Sequence, residues 1–381
     1  MSYDFMIIGG GLAGLTAAWK LHEAQPSASI AMIERKAIGG QCVSSVSNGV
    51  TFDVGGHFCH NFDQLPEFFQ GFTRSCADFE KNTYSYDVTG AGYHGMIQNF
   101  LPVEKAERTD VSSLGAFLKS RFGQKIYDLF LKSYNEKINQ CDLLTCEVPV
   151  FAQDRTPDKG KKSYNSTFKY PRSGGIQALI DWLWKHVSAF SGIYFADCRD
   201  IDDSARIVTL STGRTLHYDR AVFDSSSIAS AMGYDEFSPA VLVTNGFCEP
   251  AEEFENFRDP AWHYISSPEF PVFRIGSYEI CGAAKRDGMI PFYAESPLKS
   301  PWDVTNCALF KKVVVSSCFE VLNAYPVTKI GFRDLKKKKI EGDAAKGHFW
   351  IGRYGKDEWF SMSDTIQDTI AVVDSALAVV M

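Results

Sequence analysis

The chain opens with an apolar run, Phe5-Met6-Ile7-Ile8, too short and too uninterrupted for an amphipathic helix, which predicts a buried strand. Three glycines follow, and the pattern then turns helical from about Leu12 to Glu23. A second apolar run, Ile30 to Ile33, predicts another buried strand. Farther on, Leu114, Phe117, Leu118, Phe122, Ile126, Leu129, Phe130 and Tyr134 recur at helical spacing, predicting a helix over Ser113 to Asn135 with a break at Gly123. Ile176, Leu179, Ile180, Leu183 and Val187 predict a further helix. Alternation then marks strands at Ile193–Ala196, Arg206–Leu210 and Thr215–Phe223, with a turn at Thr212-Gly213. Extended segments are expected around Ala240–Phe247, Trp262–Ser266, Pro271–Ile275 and Ile290–Glu295. Helices are expected over Trp302–Asn323, after Phe332, and from about Ser363 to Met381.

This order is an α/β pattern interrupted twice. It predicts a Rossmann-type dinucleotide domain from residues 1–60, 164–235 and 347–381, and an α+β substrate or cap domain from 61–163 and 236–346. The polar stretch Gln153–Ser163 reads as a loop, either a solvated connector or a lid.

Composition narrows the picture. The 381 residues are 45% hydrophobic, enough for a large core. A net charge of -7 argues against a nucleic-acid surface and leaves a small molecule as the expected partner, with oligomerisation open. No run of about eighteen apolar residues predicts a membrane helix, and the chain reads as cytoplasmic. Ten cysteines without a C-x-x-C pair favour reduced thiols, and no metal site is expected. The lysines at 336–339, beside Glu341 and Asp343, read as a solvated helix face.

The first strand, turn and helix form G-x-G-x-x-G in its proper context. Gly9 permits the tight exit, Gly11 lets the backbone approach a pyrophosphate, and Gly14 brings helix and sheet together. Leu12 and Ala13 open the helix whose free N–H groups would hold the phosphates. Glu34 ends the second strand twenty residues after Gly14, where an acidic side chain meets a ribose.

Two later stretches, Glu34-Arg35-Lys36-Ala37-Ile38-Gly39-Gly40-Gln41-Cys42 and Phe52-Asp53-Val54-Gly55-Gly56-His57-Phe58-Cys59-His60, resemble elements of the flavin amine oxidase superfamily. They are most similar to its protoporphyrinogen-oxidase-like and UDP-galactopyranose-mutase-like branch. The ending Gly352-Arg353-Tyr354-Gly355, followed by Met362-Ser363-Asp364-Thr365-Ile366, resembles the C-terminal flavin signature of that branch. Departures are Gln41 for asparagine, Gly56 for proline, Cys59 for an aromatic, and Ser363 for aspartate with Asp364 one place later.

The resemblance implies FAD as cofactor. It implies contacts from Arg35, Gly40, Gln41, Gly55, Gly56, His57, Gly352, Arg353, Ser363, Asp364, Thr365 and Ile366, with Ser363 able to cap the last helix, and a backbone contact from Cys198 to the adenine. Phe168 and Tyr170 are implied walls of a substrate cavity, with plain packing as the alternative for both, and Trp359 is a further candidate wall or orienting residue. Arg274 in an apolar strand either salt-bridges at an edge or meets an anionic group. His57, His60 and Arg274 are candidate catalytic residues, with no secure acid or base. The leading expectation is an FAD-dependent oxidoreductase taking hydride from a small molecule, an amine among the options. A sugar-nucleotide pyranose–furanose mutase is the alternative, and a non-catalytic flavoprotein the third.

Overall fold

The computed structural model describes residues 2–80, 82–87, 92–96, 110–150, 167–234, 238–252, 254, 257, 261–283, 285–305 and 309–380. The Gln153–Ser163 loop lies outside them. Its first layer is a seven-stranded sheet in the order Cys198–Asp202, Ile207–Leu210, Thr215–Asp224, Ser2–Ile8, Ile30–Glu34 and Ser191–Phe195, with His348–Trp350 also paired to Thr215–Asp224. The strands from Thr215–Asp224 to Ser191–Phe195 run parallel, and the first three form an antiparallel meander. The alternation of Ser2–Ile8 explains both faces. Phe5 and Ile7 pack under the helices Leu12–Ala24, Gln177–Val187 and Met362–Val380, while Met6 and Ile8 pack with Val208, Leu210 and Leu216 of the meander.

The second layer is a sheet in the order Phe310–Val321, Val241–Pro250, Ile290–Pro297, Arg274–Ser277, Ala261–Ile265, Asn82–Asp87 and Gly92–Met96. The helix foreseen over Trp302–Asn323 does not form: Phe310–Val321 is instead a strand antiparallel to Val241–Pro250. The β-branched triplet Val313-Val314-Val315 favours extended backbone, and a neighbouring strand is there to pair with it. The strand expected at Pro271–Ile275 starts only at Arg274 and runs to Ser277.

Other expectations shift for local reasons. The helical stretch after Ser113 breaks at Gly123, whose φ of 83° ends Leu114–Phe122, and resumes through Lys132–Asn139. Ser113 caps it by accepting from the Ala116 N–H at 3.1 Å. The helix Glu67–Thr73, on the cap side of the division expected at residue 61, packs instead in the Rossmann core, with Phe68 stacked on Trp19 at 4.2 Å. Of the lysine run in Phe332–Ala344, Lys336 is buried rather than solvated, its Nζ donating to Glu358 at 2.9 Å and to the Asp357 carbonyl at 3.0 Å. Cys141 and Cys146 come close to one another across the turn Leu143–Thr145. Among the described residues no helix is long and apolar enough to cross a membrane.

One buried carboxylate ties the two layers. Asp53 ends the strand Val50–Asp53 and accepts from Ser44 Oγ at 2.6 Å, Tyr170 Oη at 2.6 Å and the Ile176 N–H at 3.1 Å. Its own backbone N–H donates to Tyr278 Oη at 3.0 Å, and its carbonyl accepts from Asn245 Nδ2 at 3.1 Å. Both partners belong to the second layer. Burial pushes the Asp53 carboxyl up to about 6, against the opposing pull of its hydrogen bonds from Ser44, Tyr170 and Ile176.

The sign of the linkage follows. The folded state holds this proton more tightly than an unfolded aspartate with its ordinary value of 3.8, so Asp53's contribution is largest in acid and falls as pH rises through about 6. Asp53→Asn has no such titration. Urea denaturation at pH 4.5 and pH 7.5 should show the stability gap between wild type and variant narrowing, or turning in the variant's favour, by about 2 kcal/mol at the higher pH. A gap independent of pH would contradict this account.

Candidate flavin and substrate cavity

A cavity of about 650 Å³ runs from the glycine turn to the second sheet. Its first end is built by three close approaches. Gly9 has a φ of 93°, and a Cβ there would strike the Ser225 hydroxyl. A Cβ on Gly14 would run into the Gly9 carbonyl, so this glycine sets the helix against the strand. Gly11 differs: a Cβ there would meet nothing nearer than Gly40 Cα at 3.6 Å. Protein packing alone does not require glycine at Gly11, whereas a ligand lying on the backbone would.

The donors at this end suit an anion. The helix Leu12–Ala24 has no side-chain cap at Gly11, so its first N–H groups remain available where Leu12 and Ala13 line the cavity. Glu34 also lines it, accepting from the N–H groups of Gly10 at 2.7 Å and Lys36 at 2.9 Å. Gly39 donates to the Gly10 carbonyl at 2.9 Å, drawing the second glycine loop, with Gly40 and Gln41, against the first. Arg35 lies at the rim, 3.7 Å from Asp197. Cys198 follows Asp197 in the meander but is not part of the lining.

The middle of the cavity is held by the corner 55–57 and by the start of the last helix. A Cβ on Gly56 would collide with the Tyr293 hydroxyl, so the residue lets the corner seat against the second sheet. His57 lines the cavity, and burial, reinforced by Arg353 and Arg274 and opposed by a Val54 backbone contact, lowers it to about 4. Its imidazole is neutral at physiological pH. The helix Met362–Val380 is capped by Ser361, not Ser363. Ser361 Oγ accepts from the Asp364 N–H at 3.2 Å, while the Asp364 carboxylate accepts from the Ser361 N–H at 2.8 Å. That reciprocal pair also accounts for the displaced aspartate. Thr365 lines the cavity, while Ser363 and Ile366 are buried outside the lining. Gly352, with φ of 70°, lets its turn approach Ala13 and places Arg353 in the wall.

The far end is aromatic and carries two guanidinium groups. Phe58 stacks on Trp262 at 5.3 Å, Tyr134 meets Tyr264 edge-on at 4.7 Å, and Tyr325 stacks on Trp359 at 4.7 Å. Arg274 Nη2 donates to Glu295 at 2.6 and 2.7 Å and to Tyr325 Oη at 2.9 Å, with its guanidinium 4.8 Å above Trp262. Burial works against its charge, but Glu295 and the surrounding tyrosines more than restore it, holding Arg274 well above the ordinary arginine value. Arg353 lies over Tyr325 and Trp359 at 5.4 and 5.7 Å, and its Nε is buried with no hydrogen-bond partner among the described residues. His60 lines the same end and is 3.0 Å from the Thr167 carbonyl.

Two expected wall residues face elsewhere. Phe168 is sandwiched between Phe58 and Phe79, and Tyr170 is committed to Asp53, so neither reaches the lining. In their place stand Tyr134, Asn135, Trp262, Tyr264, Glu295 and Tyr325. Sequence reading missed these because they come from four separate segments. Among the described residues no group of three metal-ligating side chains occurs.

Residues 7–74 match the family model for the NAD(P)-binding Rossmann-like domain. No curated protein sequence matches the chain. Among solved structures, a reduced UDP-galactopyranose mutase superposes with a TM-score of 0.80 at 18% identity, covering 99% of this chain and 96% of that one. A candidate protoporphyrinogen oxidase from Exiguobacterium sp. 255-15 superposes at 0.69 and 13% identity, covering 98% of both chains. Cyclohexylamine oxidase from Brevibacterium oxydans IH-35A superposes at 0.69 and 12% identity, covering 99% of both. The fold is therefore the one these three solved structures share, with an NAD(P)-binding Rossmann-like unit at its start.

The glycines supply a test. Gly11→Ala should leave the melting temperature of ligand-free protein within about 2 °C of wild type while cutting FAD uptake at least tenfold, read by flavin absorbance after gel filtration. Gly14→Ala should lower folded yield with or without FAD. Equal effects of the two substitutions would count against a ligand lying on Gly11.

Proposed function

We propose that the chain is a member of the flavin amine oxidase-like superfamily, binds FAD along the cavity and acts on an anionic small molecule at its aromatic end. The reaction class we favour is the redox-neutral rearrangement of a sugar nucleotide. One observation carries this reading: two guanidinium groups, Arg274 and Arg353, face one aromatic-walled space in which Glu295 supplies the nearby carboxylate. Such a space attracts phosphate-bearing ligands and repels a protonated amine. The superposition on UDP-galactopyranose mutase, which spans nearly the whole of both chains, supports the same reading.

The residues fit the cofactor. The Gly11 backbone, the uncapped helix start and Glu34 would hold FAD, with Gly56, His57 and Thr365 beside its ring, leaving Arg353 to the aromatic end. Bound FAD supplies a redox-active ring that can accept hydride or, once reduced, act as a nucleophile. The protein's part is placement and exclusion of water. Trp262, Tyr264 and Trp359 offer flat faces to a sugar or base, Asn135 and Asn139 offer amides, and neutral His57 offers a hydrogen bond without adding charge.

A hydride-transferring oxidoreductase is the second reading. It is favoured by the commitment of Arg274 to Glu295 and Tyr325, which leaves that wall compensated and dry. Anaerobic assays separate the two. With UDP-galactopyranose, the favoured reading predicts interconversion only after dithionite reduction and with no net consumption of reductant. An oxidoreductase would show oxidised flavin bleached by its substrate. A flavin inert to both treatments across sugar nucleotides and small reductants would mark a non-catalytic protein and overturn the proposal.

A further inference from the structure

Lys137 extends from the helix Lys132–Asn139 into the connection between the strands Ala261–Ile265 and Arg274–Ser277. Its Nζ donates to four backbone carbonyls: Ile265 at 2.6 Å, Ser267 at 3.0 Å, Phe270 at 3.1 Å and Val272 at 3.0 Å. A lysine ammonium has three protons, and here four oxygens converge on it. The arrangement is that of a carbonyl cage around a point charge, in which oxygens replace the shell that water would give a cation. With the charge removed, four carbonyl dipoles would point their negative ends at one another.

We propose that this cage is a monovalent-cation site which the chain fills with its own Lys137, and that the captive charge fixes the spacing of two cavity walls. The helix supplies Tyr134, Asn135, Ile138 and Asn139 to one wall. The caged connection joins the strands that supply Trp262, Tyr264 and Arg274 to the other. The ligand class is an ion the size of potassium or ammonium; tetrahedral ammonium has the four protons that four oxygens require. A neighbouring hollow of about 260 Å³, lined by Asp128, Glu136, Ser266 and Ser267 among others, gives a solvent cation an approach to the same connection. Lys137 is thus a positioning residue, and the inference holds whichever flavin reaction the cavity performs.

The test uses the full chain with Lys137→Ala, melted at equal ionic strength in choline, sodium, potassium or ammonium chloride. In choline the variant should melt about 5 °C below wild type. Ammonium and potassium should each restore at least half of that loss, sodium clearly less, and wild type should show no such ranking. Lys137→Arg keeps the charge but brings a planar fork into a cage built for a compact ion, so it should melt low in every salt. Should Lys137→Ala not accumulate in folded form, refolding from urea in ammonium against choline gives the same reading. No loss on substitution, or a loss indifferent to which cation is present, would overturn the proposal.

Discussion

The structure depends first on a carboxylate that has no water to rely on. Asp53 is buried at the point where the strand before the corner 55–57, the turn entering the helix Gln177–Val187, and the second sheet meet. Ionising it there is unfavourable, and only a convergent set of donors makes the position tolerable. Ser44, Tyr170 and Ile176 supply those donors to the side chain, while Tyr278 and Asn245 engage the backbone of the same residue. Each donor comes from a different stretch of chain, so one satisfied group fixes several segments relative to one another.

What that joint holds in place is the corner 55–57, two to four residues on. The corner is seated against Tyr293 and Glu295 of the second sheet by glycines that leave no room for a side chain. Arg274, Glu295 and Tyr325 form the opposite wall as a compensated set, and Arg353 enters from the Rossmann side with its charge directed over Tyr325 and Trp359. The cavity is a seam between two sheets whose polar groups answer one another across it. Its neutral His57 between two arginines follows from the same geometry.

Much of the glycine-turn end of the cavity was legible in the residues themselves. Gly9, Gly11, Gly14 and Glu34 act within one strand–turn–helix–strand unit, where spacing along the chain is nearly spacing in space. The strand period of Ser2–Ile8 and the helical period of Gln177–Val187 were equally local. The aromatic end was not legible. Tyr170 and Phe168 looked like cavity walls because they precede the return to the first sheet, yet a hydroxyl partner and two stacked rings turn them into the core. The Phe310–Val321 segment was misread because a partner strand about seventy residues earlier decides its conformation.

The sequence by itself determined the α/β character and the glycine-built turn between the first strand and helix, because these rest on backbone sterics and on hydrophobic period over short distances. Only the tertiary structure decided which side chains share the cavity, which charges are compensated, and which lysine is caged. Those depend on the packing of segments far apart in the chain, and surroundings, not residue type, set whether Asp53, Arg274 or Lys336 is a surface charge or a structural one and keep His57 neutral.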